Sequence, residues 1–268
     1  MEFRTIVDIP KPAFEIQPCE EVLLVGSCFA DEIGQRFHDN GFPVTINPFG
    51  VMYNPASILH TIEKYEESPN IVFLTLGTNH IYRLKETGEI VDNCEKRPQN
   101  LFQEEQLSVD ECVTYLQKAI DVLHQRNPEV RIILTVSPIR YRKYGYHGSQ
   151  LSKATLLIAA NKVVSNSVAD TCAYFPSYEI LMDELRDYRF YASDMLHPSA
   201  QAVDYIWERL VETCFSSEAK AFLDEWKPLR QALAHKPFHP ESPEYQAFMD
   251  KTMLKLSELR KKYSNFAL

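Results

Sequence analysis

Val22-Leu23-Leu24-Val25-Gly26-Ser27-Cys28-Phe29-Ala30 joins an apolar run to a stretch that turns polar and helical from Asp31. Four consecutive aliphatic residues predict a strand buried on both faces. The helix that follows at once puts Ser27 at the carboxyl end of that strand. A side-chain oxygen there lies beside the free backbone N–H groups of a helix N-terminus, a good address for a nucleophile. Far along the chain, Asp194-Met195-Leu196-His197-Pro198 supplies a carboxylate and an imidazole within one loop.

Working outward, short apolar runs alternate with helical patterns. A helix is predicted over 29–38, with Phe29, Ile33 and Phe37 on one face, then a short strand at Val44–Ile46 that ends at Asn47-Pro48-Phe49-Gly50. Pro55–Lys64 reads as a helix with Asn54 as its cap and Pro55 in its first turn. Ile71–Leu76 is the clearest strand and runs into Gly77-Thr78-Asn79-His80. Residues 108–126 form an amphipathic helix opened by the capping box Ser108 and Glu111. A strand over 132–136 stops at Ser137-Pro138, a long helix is predicted over 151–169, and 173–175 is a fifth strand. This alternation implies a parallel sheet with helices on both faces, whose functional groups gather beyond the carboxyl ends of the strands. Ser27, Gly50, Gly77 to Asn79 and Ser137 all fall at such ends.

Two stretches lie outside the alternation. Residues 81–107 contain a hairpin, Tyr82-Arg83-Leu84 against Ile90-Val91, and an irregular charged connection, placed to wall or cover the site. From Ser217 onward the chain is helical and charged, broken at Lys236-Pro237 and His239-Pro240. The division expected is therefore 1–216 for the α/β domain and 217–268 for a helical extension, packed either on that domain or on a second subunit.

Bulk properties narrow the class. The chain has 268 residues, 45% of them hydrophobic, enough for one sizeable α/β domain with an appendage. A formal charge of −9 and a pI near 5.4 argue against a nucleic-acid partner. No apolar segment has the length of a signal peptide or a membrane span, and six cysteines occur without a Cys-x-x-Cys pair. A cytoplasmic enzyme with reduced cysteines is the default expectation.

The motifs define a chemistry. A serine hydroxyl needs a base to take its proton, and His197 is the candidate base. Asp194 would fix the imidazole's tautomer and stabilise its protonated form. The N–H of Ser27, the N–H of Gly50 and the side-chain amide of Asn79 are the candidate oxyanion donors. Because adjacent residues leaving a strand point in different directions, Ser27 and Cys28 should not both face the cleft. Ser27 is expected to face it, and Cys28 to be a small buried hydrophobe. His80 and Arg140 are candidates for contact with substrate. His235 and His239 are not read as metal ligands, since Pro237 interrupts a helical pairing and no carboxylate or cysteine lies at a ligand interval.

The segments Gly26-Ser27-Cys28-Phe29-Ala30, Asn47-Pro48-Phe49-Gly50, Leu76-Gly77-Thr78, Tyr174-Phe175-Pro176-Ser177-Tyr178-Glu179 and Asp194-Met195-Leu196-His197-Pro198-Ser199 resemble the GSCFA family, a branch of the SGNH (GDSL-like) hydrolases. The resemblance covers most of the chain. It implies a three-layer α/β/α sandwich of flavodoxin-like type with a mostly parallel five-stranded sheet and a C-terminal helical extension. It also implies Ser27 as nucleophile, Gly50 and Asn79 as oxyanion donors, and Asp194 and His197 as the rest of a triad. One block departs from the superfamily's Gly-x-Asn-Asp pattern, reading Gly77-Thr78-Asn79-His80. The activity implied is hydrolysis of an acyl or acetyl ester through an acyl-enzyme, needing neither metal nor cofactor. The favoured substrate is a small-molecule or glycan ester. A thioesterase or lipid-ester hydrolase is the alternative enzyme, and a catalytically silent binding protein, dimerising or docking through its helical tail, is the alternative of another class. Fold alone cannot choose among them.

Overall fold

Every residue of β1 (Val22–Gly26) and β3 (Ile71–Leu76) is buried, as expected of strands covered on both faces. They pair in parallel, with Gly26 opposite Thr75. The computed structural model describes residues 3–92, 97–167 and 171–267. Around the central pair stand β2 (Val44–Ile46), β7 (Arg131–Val136) and β8 (Cys172–Tyr174), giving a five-stranded parallel sheet in the order β2-β1-β3-β7-β8. The chain moves from β1 outward to β2, then returns to the far side of β1 for β3. The reversal between β1 and β3 opens a crevice beyond their carboxyl ends, the place where such sheets bind ligands.

Two cores cover the sheet. On one face α1 (Cys28–Asp39) and α6 (Ala200–Cys214) bury Phe29, Ile33, Phe37, Ile206 and Leu210. On the other, α2 (Pro55–Lys64), α3 (Val109–Arg126) and α4 (Gly145–Asn166) bury Ile58, Ile62, Leu116, Ile120 and Leu156. The caps are local and legible: Asn54 Oδ1 accepts the Ser57 N–H at 2.9 Å, and Ser108 with Glu111 closes both halves of a capping box.

Three elements differ from their predicted form. The helix expected over 151–169 begins earlier, at Gly145, where Ser149 in the added turn ties it to the preceding loop. Ser149 Oγ accepts the Tyr141 N–H at 3.1 Å and Ser152 Oγ accepts the Asn79 N–H at 3.0 Å. Its last described residue is Asn166, and Ala169 lies outside the described residues. The fifth strand is shifted by one residue. The charged connection contains a further strand: β4 (His80–Leu84) pairs antiparallel with both β5 (Ile90–Val91) and β6 (Phe102–Gln106). Its sequence, Phe102-Gln103-Glu104-Glu105-Gln106, is too polar to announce a strand.

α5 (Ser177–Glu179) continues into a wider turn over Ile180–Leu185 before the loop that carries Asp194 and His197. The helical tail, α7 (Ser217–Ala234) and α8 (Pro243–Lys262), packs on the chain's own α/β layers. Trp226 Nε1 donates to Asp39 O at 2.9 Å, the Ala267 N–H donates to Gly41 O at 3.0 Å, and Phe222 meets the rings of Phe42 and Tyr263. The described cysteines are all unpaired; Cys94 lies outside the described residues. No helix among the described residues is long and apolar enough to cross a membrane.

Phe37 is the hub of the first core, fully buried and against the rings of Phe42, Phe73, Trp207 and Phe215. Phe37→Ala should therefore lower the unfolding free energy by about 3–5 kcal/mol in urea titrations.

Candidate active site

The acid and the imidazole meet as the spacing predicts. Asp194 Oδ2 lies 2.6 Å from His197 Nδ1, while Asp194 Oδ1 accepts the N–H groups of Leu196 and His197 at 2.9 and 3.0 Å. The turn is tight enough to hold Met195 at φ 60°. The bond to His197, then the two backbone donors, hold the Asp194 carboxyl down at about 2, so it stays ionised at neutral pH. A carboxylate can only accept, so His197 carries a proton on Nδ1, and its Nε2 makes no hydrogen bond among the described residues. Ser199, not Asp194, caps α6, with Oγ accepting the Ala202 N–H at 3.2 Å.

Arg140 serves this loop. Its backbone N–H donates to Leu196 O at 3.0 Å and its guanidinium to Met195 O at 3.0 Å. The same guanidinium lies over the rings of Tyr146 and Tyr191, at 4.2 and 5.2 Å. The guanidinium, a sequence candidate for contact with substrate, is thus engaged by Met195 O and two phenolic rings.

Ser27, expected at the cleft, is enclosed, and Cys28, expected to be buried, is half-buried at the margin of the first core. Ser27 is 0% exposed. Its Oγ accepts the Phe29 N–H at 3.3 Å as the cap of α1 and meets Thr75 Oγ1 at 3.3 Å. Cys28, the first helical residue, is half-buried, and its Sγ lies 4.0 Å from Tyr53 Oη. Burial raises the Cys28 thiol above its ordinary value, against a smaller opposing pull from Tyr53. No hydrogen bond joins His197 to Ser27 or to Cys28 among the described residues.

The three expected oxyanion donors are also committed elsewhere. The Ser27 N–H continues the sheet to Thr75 O at 3.1 Å, and the Gly50 N–H closes a turn onto Asn47 O at 2.8 Å. Asn79 Nδ2 donates to Leu107 O at 2.7 Å, leaving Asn79 Oδ1 buried without a partner. An unclaimed donor stands nearby. Tyr141 Oη is buried, has no partner, and lies against Gly77, where an added Cβ would collide with it and come within 3.4 Å of Ser27 Cβ. Burial first, then nearby Cys28 and Tyr53, raise the phenol well above its ordinary value, so it keeps its proton.

A cavity of about 360 Å³ opens beside these strand ends, lined by Tyr53, Asn54, Thr78, His80, Tyr82 and Tyr141 among others. The β4–β6 sheet forms one of its walls, through His80, Tyr82 and Phe102. His80 is only 6% exposed and stacks on Tyr144 with ring centroids 3.5 Å apart. Burial lowers its pKa, and Glu104 opposes that shift. Glu104 Oε1 lies 3.4 Å from His80 Nδ1, but outside hydrogen-bonding geometry, so this nitrogen is without a partner. A larger groove of about 630 Å³ lies between α7 and α8 and contains none of these groups.

Sequence reading missed Lys153. It is 1% exposed, and its Nζ donates to Gly77 O and Ser137 O, both at 2.7 Å, tying together the ends of β3 and β7. No carboxylate pairs with it among the described residues. Burial draws its pKa down to about 7. Only its spacing on the inner face of α4, three residues before Leu156, hinted that it points inward.

The fold is a doubly wound α/β sheet with a carboxylate–imidazole pair in a loop beyond its strand ends. The chain belongs to the GSCFA family: the family model matches residues 21–70 and 64–210, and the model of the GSCFA domain protein's C-terminal domain matches 226–268. No curated protein matches the sequence. Among solved structures, a GDSL-like lipase from Bacteroides thetaiotaomicron is similar at 14% identity and a TM-score of 0.48, covering 78% of this chain and 92% of its own. A member of the lipolytic protein G-D-S-L family from Veillonella parvula is similar at 13% identity and a TM-score of 0.46, over 72% and 96% of the two chains. A carbohydrate esterase family 3 protein from Talaromyces cellulolyticus is similar at 11% identity and a TM-score of 0.42, over 78% and 99%.

Lys153 carries a pH signature. Folded, it loses its proton near pH 7, whereas an unfolded lysine holds it to about 10.5. Between these values the unfolded chain binds the extra proton, so this residue makes stability rise with pH. The unfolding free energy of wild type minus that of Lys153→Met, from urea titrations at about pH 6.5 and about pH 9.5, should increase with pH. A difference that stays flat would show that Lys153 does not titrate in this window.

Proposed function

We propose that this chain hydrolyses acyl esters, with His197 as general base and acid and Asp194 as its orienting carboxylate. The observation that carries this reading is the 2.6 Å Asp194–His197 contact, which fixes the imidazole with Nε2 free. The attacking atom comes from the Ser27–Cys28 pair at the end of β1. His197 takes its proton as it adds to the carbonyl carbon, then returns that proton to the departing alcohol. Water cleaves the acyl-enzyme by the same route.

An acylated carbohydrate is the substrate class favoured here. The rings of Tyr53, Tyr82 and Tyr144 offer flat apolar faces, and Asn54, His80 and Gln99 offer groups that hydrogen-bond hydroxyls. A cavity of about 360 Å³ accommodates a ligand of monosaccharide size.

His197→Ala should lower kcat on a short acyl ester about 10²- to 10⁴-fold with little change in KM, and Asp194→Asn should follow it. The check is steady-state kinetics on p-nitrophenyl acetate and on acetylated sugars, beside acyl thioesters and lipid esters. The reading fails if the purified wild-type chain turns over none of them, or if His197→Ala matches wild type.

A further inference from the structure

We infer that Cys28, and not Ser27, is the nucleophile, so the acyl-enzyme is a thioester whose oxyanion is held by the Cys28 N–H and the Tyr141 hydroxyl. The inference rests on the acyl-hydrolase reading and names its attacking atom.

Four observations converge on it. First, Ser27 is fully enclosed and its oxygen is engaged twice, by the Phe29 N–H and by Thr75 Oγ1. A hydroxyl in that position cannot meet an acyl carbon without uncapping α1. Second, Cys28 begins the helix, and its backbone N–H meets no acceptor among the described residues. That leaves it available to the oxygen of a carbonyl attacked by the same residue's sulfur.

Third, Cys28 Sγ adjoins Tyr53, which also lines the cavity holding Tyr141 and His80. Unsatisfied polar groups there point to a ligand: His80 is 6% exposed with Nδ1 unpartnered, and Tyr141 Oη is buried and unpartnered. Buried polar groups are ordinarily paired, so such groups around one cavity imply a partner that binds there. Fourth, Cys28 and Tyr191 pack at the margin of the same core, while Tyr191 bridges to Pro198, the residue after His197. The sulfur and the imidazole loop therefore lie on the same side of the sheet.

The chemistry balances without a further reactant. His197 Nε2 accepts the thiol proton as Sγ bonds to the carbonyl carbon, and the π pair moves onto oxygen, opposite the Cys28 N–H and Tyr141 O–H. That pair re-forms the carbonyl as the carbon–oxygen bond breaks, and the leaving alkoxide takes the proton from His197. Water then gives a proton to His197 and adds to the thioester. The carbon–sulfur bond breaks, the carboxylic acid departs, and the thiolate recovers the proton. Burial keeps the resting thiol protonated, so the base is needed at attack.

The test combines acylation with kinetics on the full chain. Wild type mixed with p-nitrophenyl acetate should gain one acetyl group, mapped by peptide mass spectrometry to Cys28 and removed by neutral hydroxylamine, which cleaves thioesters and spares serine esters. Cys28→Ala should lose the adduct and fall at least about 100-fold in kcat. Ser27→Ala should keep both, though it unfolds at a lower urea concentration because α1 loses its cap. Tyr141→Phe should lower kcat about 10- to 1000-fold without moving KM. A hydroxylamine-resistant adduct on Ser27, or turnover that survives in Cys28→Ala, overturns the inference and leaves ester hydrolysis standing. An acetyl group on Cys28 that water never removes supports the nucleophile and overturns the hydrolase reading.

Discussion

The close approach of β1 to β3 at Gly26 is the constraint on which the site depends. Gly26 has φ 143°, and any Cβ there would drive into the backbone oxygen of Thr75. The missing side chain lets the Ser27 N–H complete the ladder to Thr75 O at 3.1 Å. Asn47 reinforces the arrangement from β2, accepting the Gly26 N–H at 2.9 Å while its amide reaches Asp31 of α1 at 2.8 Å. The turn from strand to helix is thereby fixed on both sides. Ser27 is held inside, and Cys28 is the first residue whose N–H and side chain leave the sheet.

The sheet, the helices and the carboxylate–imidazole pair were legible in the sequence because each has a local cause. Aliphatic runs, Asn54 and Ser108 caps, and a three-residue spacing from Asp194 to His197 act over short stretches of chain. The orientation of Ser27 and Cys28 was not legible. Alternation along a strand says that neighbours diverge, but a strand buried on both faces is apolar throughout and carries no phase. The bonding of the expected oxyanion donors was hidden for a related reason. Ser27, Gly50 and Asn79 do stand near strand ends, yet which N–H is free depends on Thr75, Asn47 and Leu107, partners 3 to 48 positions away.

Lys153 and Tyr141 were hidden for another reason: each is polar and pulled inward by tertiary structure. Lys153 is satisfied by two carbonyls that exist only once β3 and β7 end side by side. Tyr141 follows Arg140 in a run of charged and aromatic residues that reads as solvated surface. The polar strand β6 likewise exists because β4 supplies a pairing edge, an interaction that no property of its own sequence reveals.

The setting of Arg140 bears on the imidazole it supports. His197 is nearly half exposed, and an exposed ring on a surface loop would ordinarily sample several orientations. Two carbonyls of its loop are instead grasped by one residue whose flat cation is wedged between phenolic rings. The imidazole thus sits on a stiff perch facing water, its orientational entropy surrendered once, during folding.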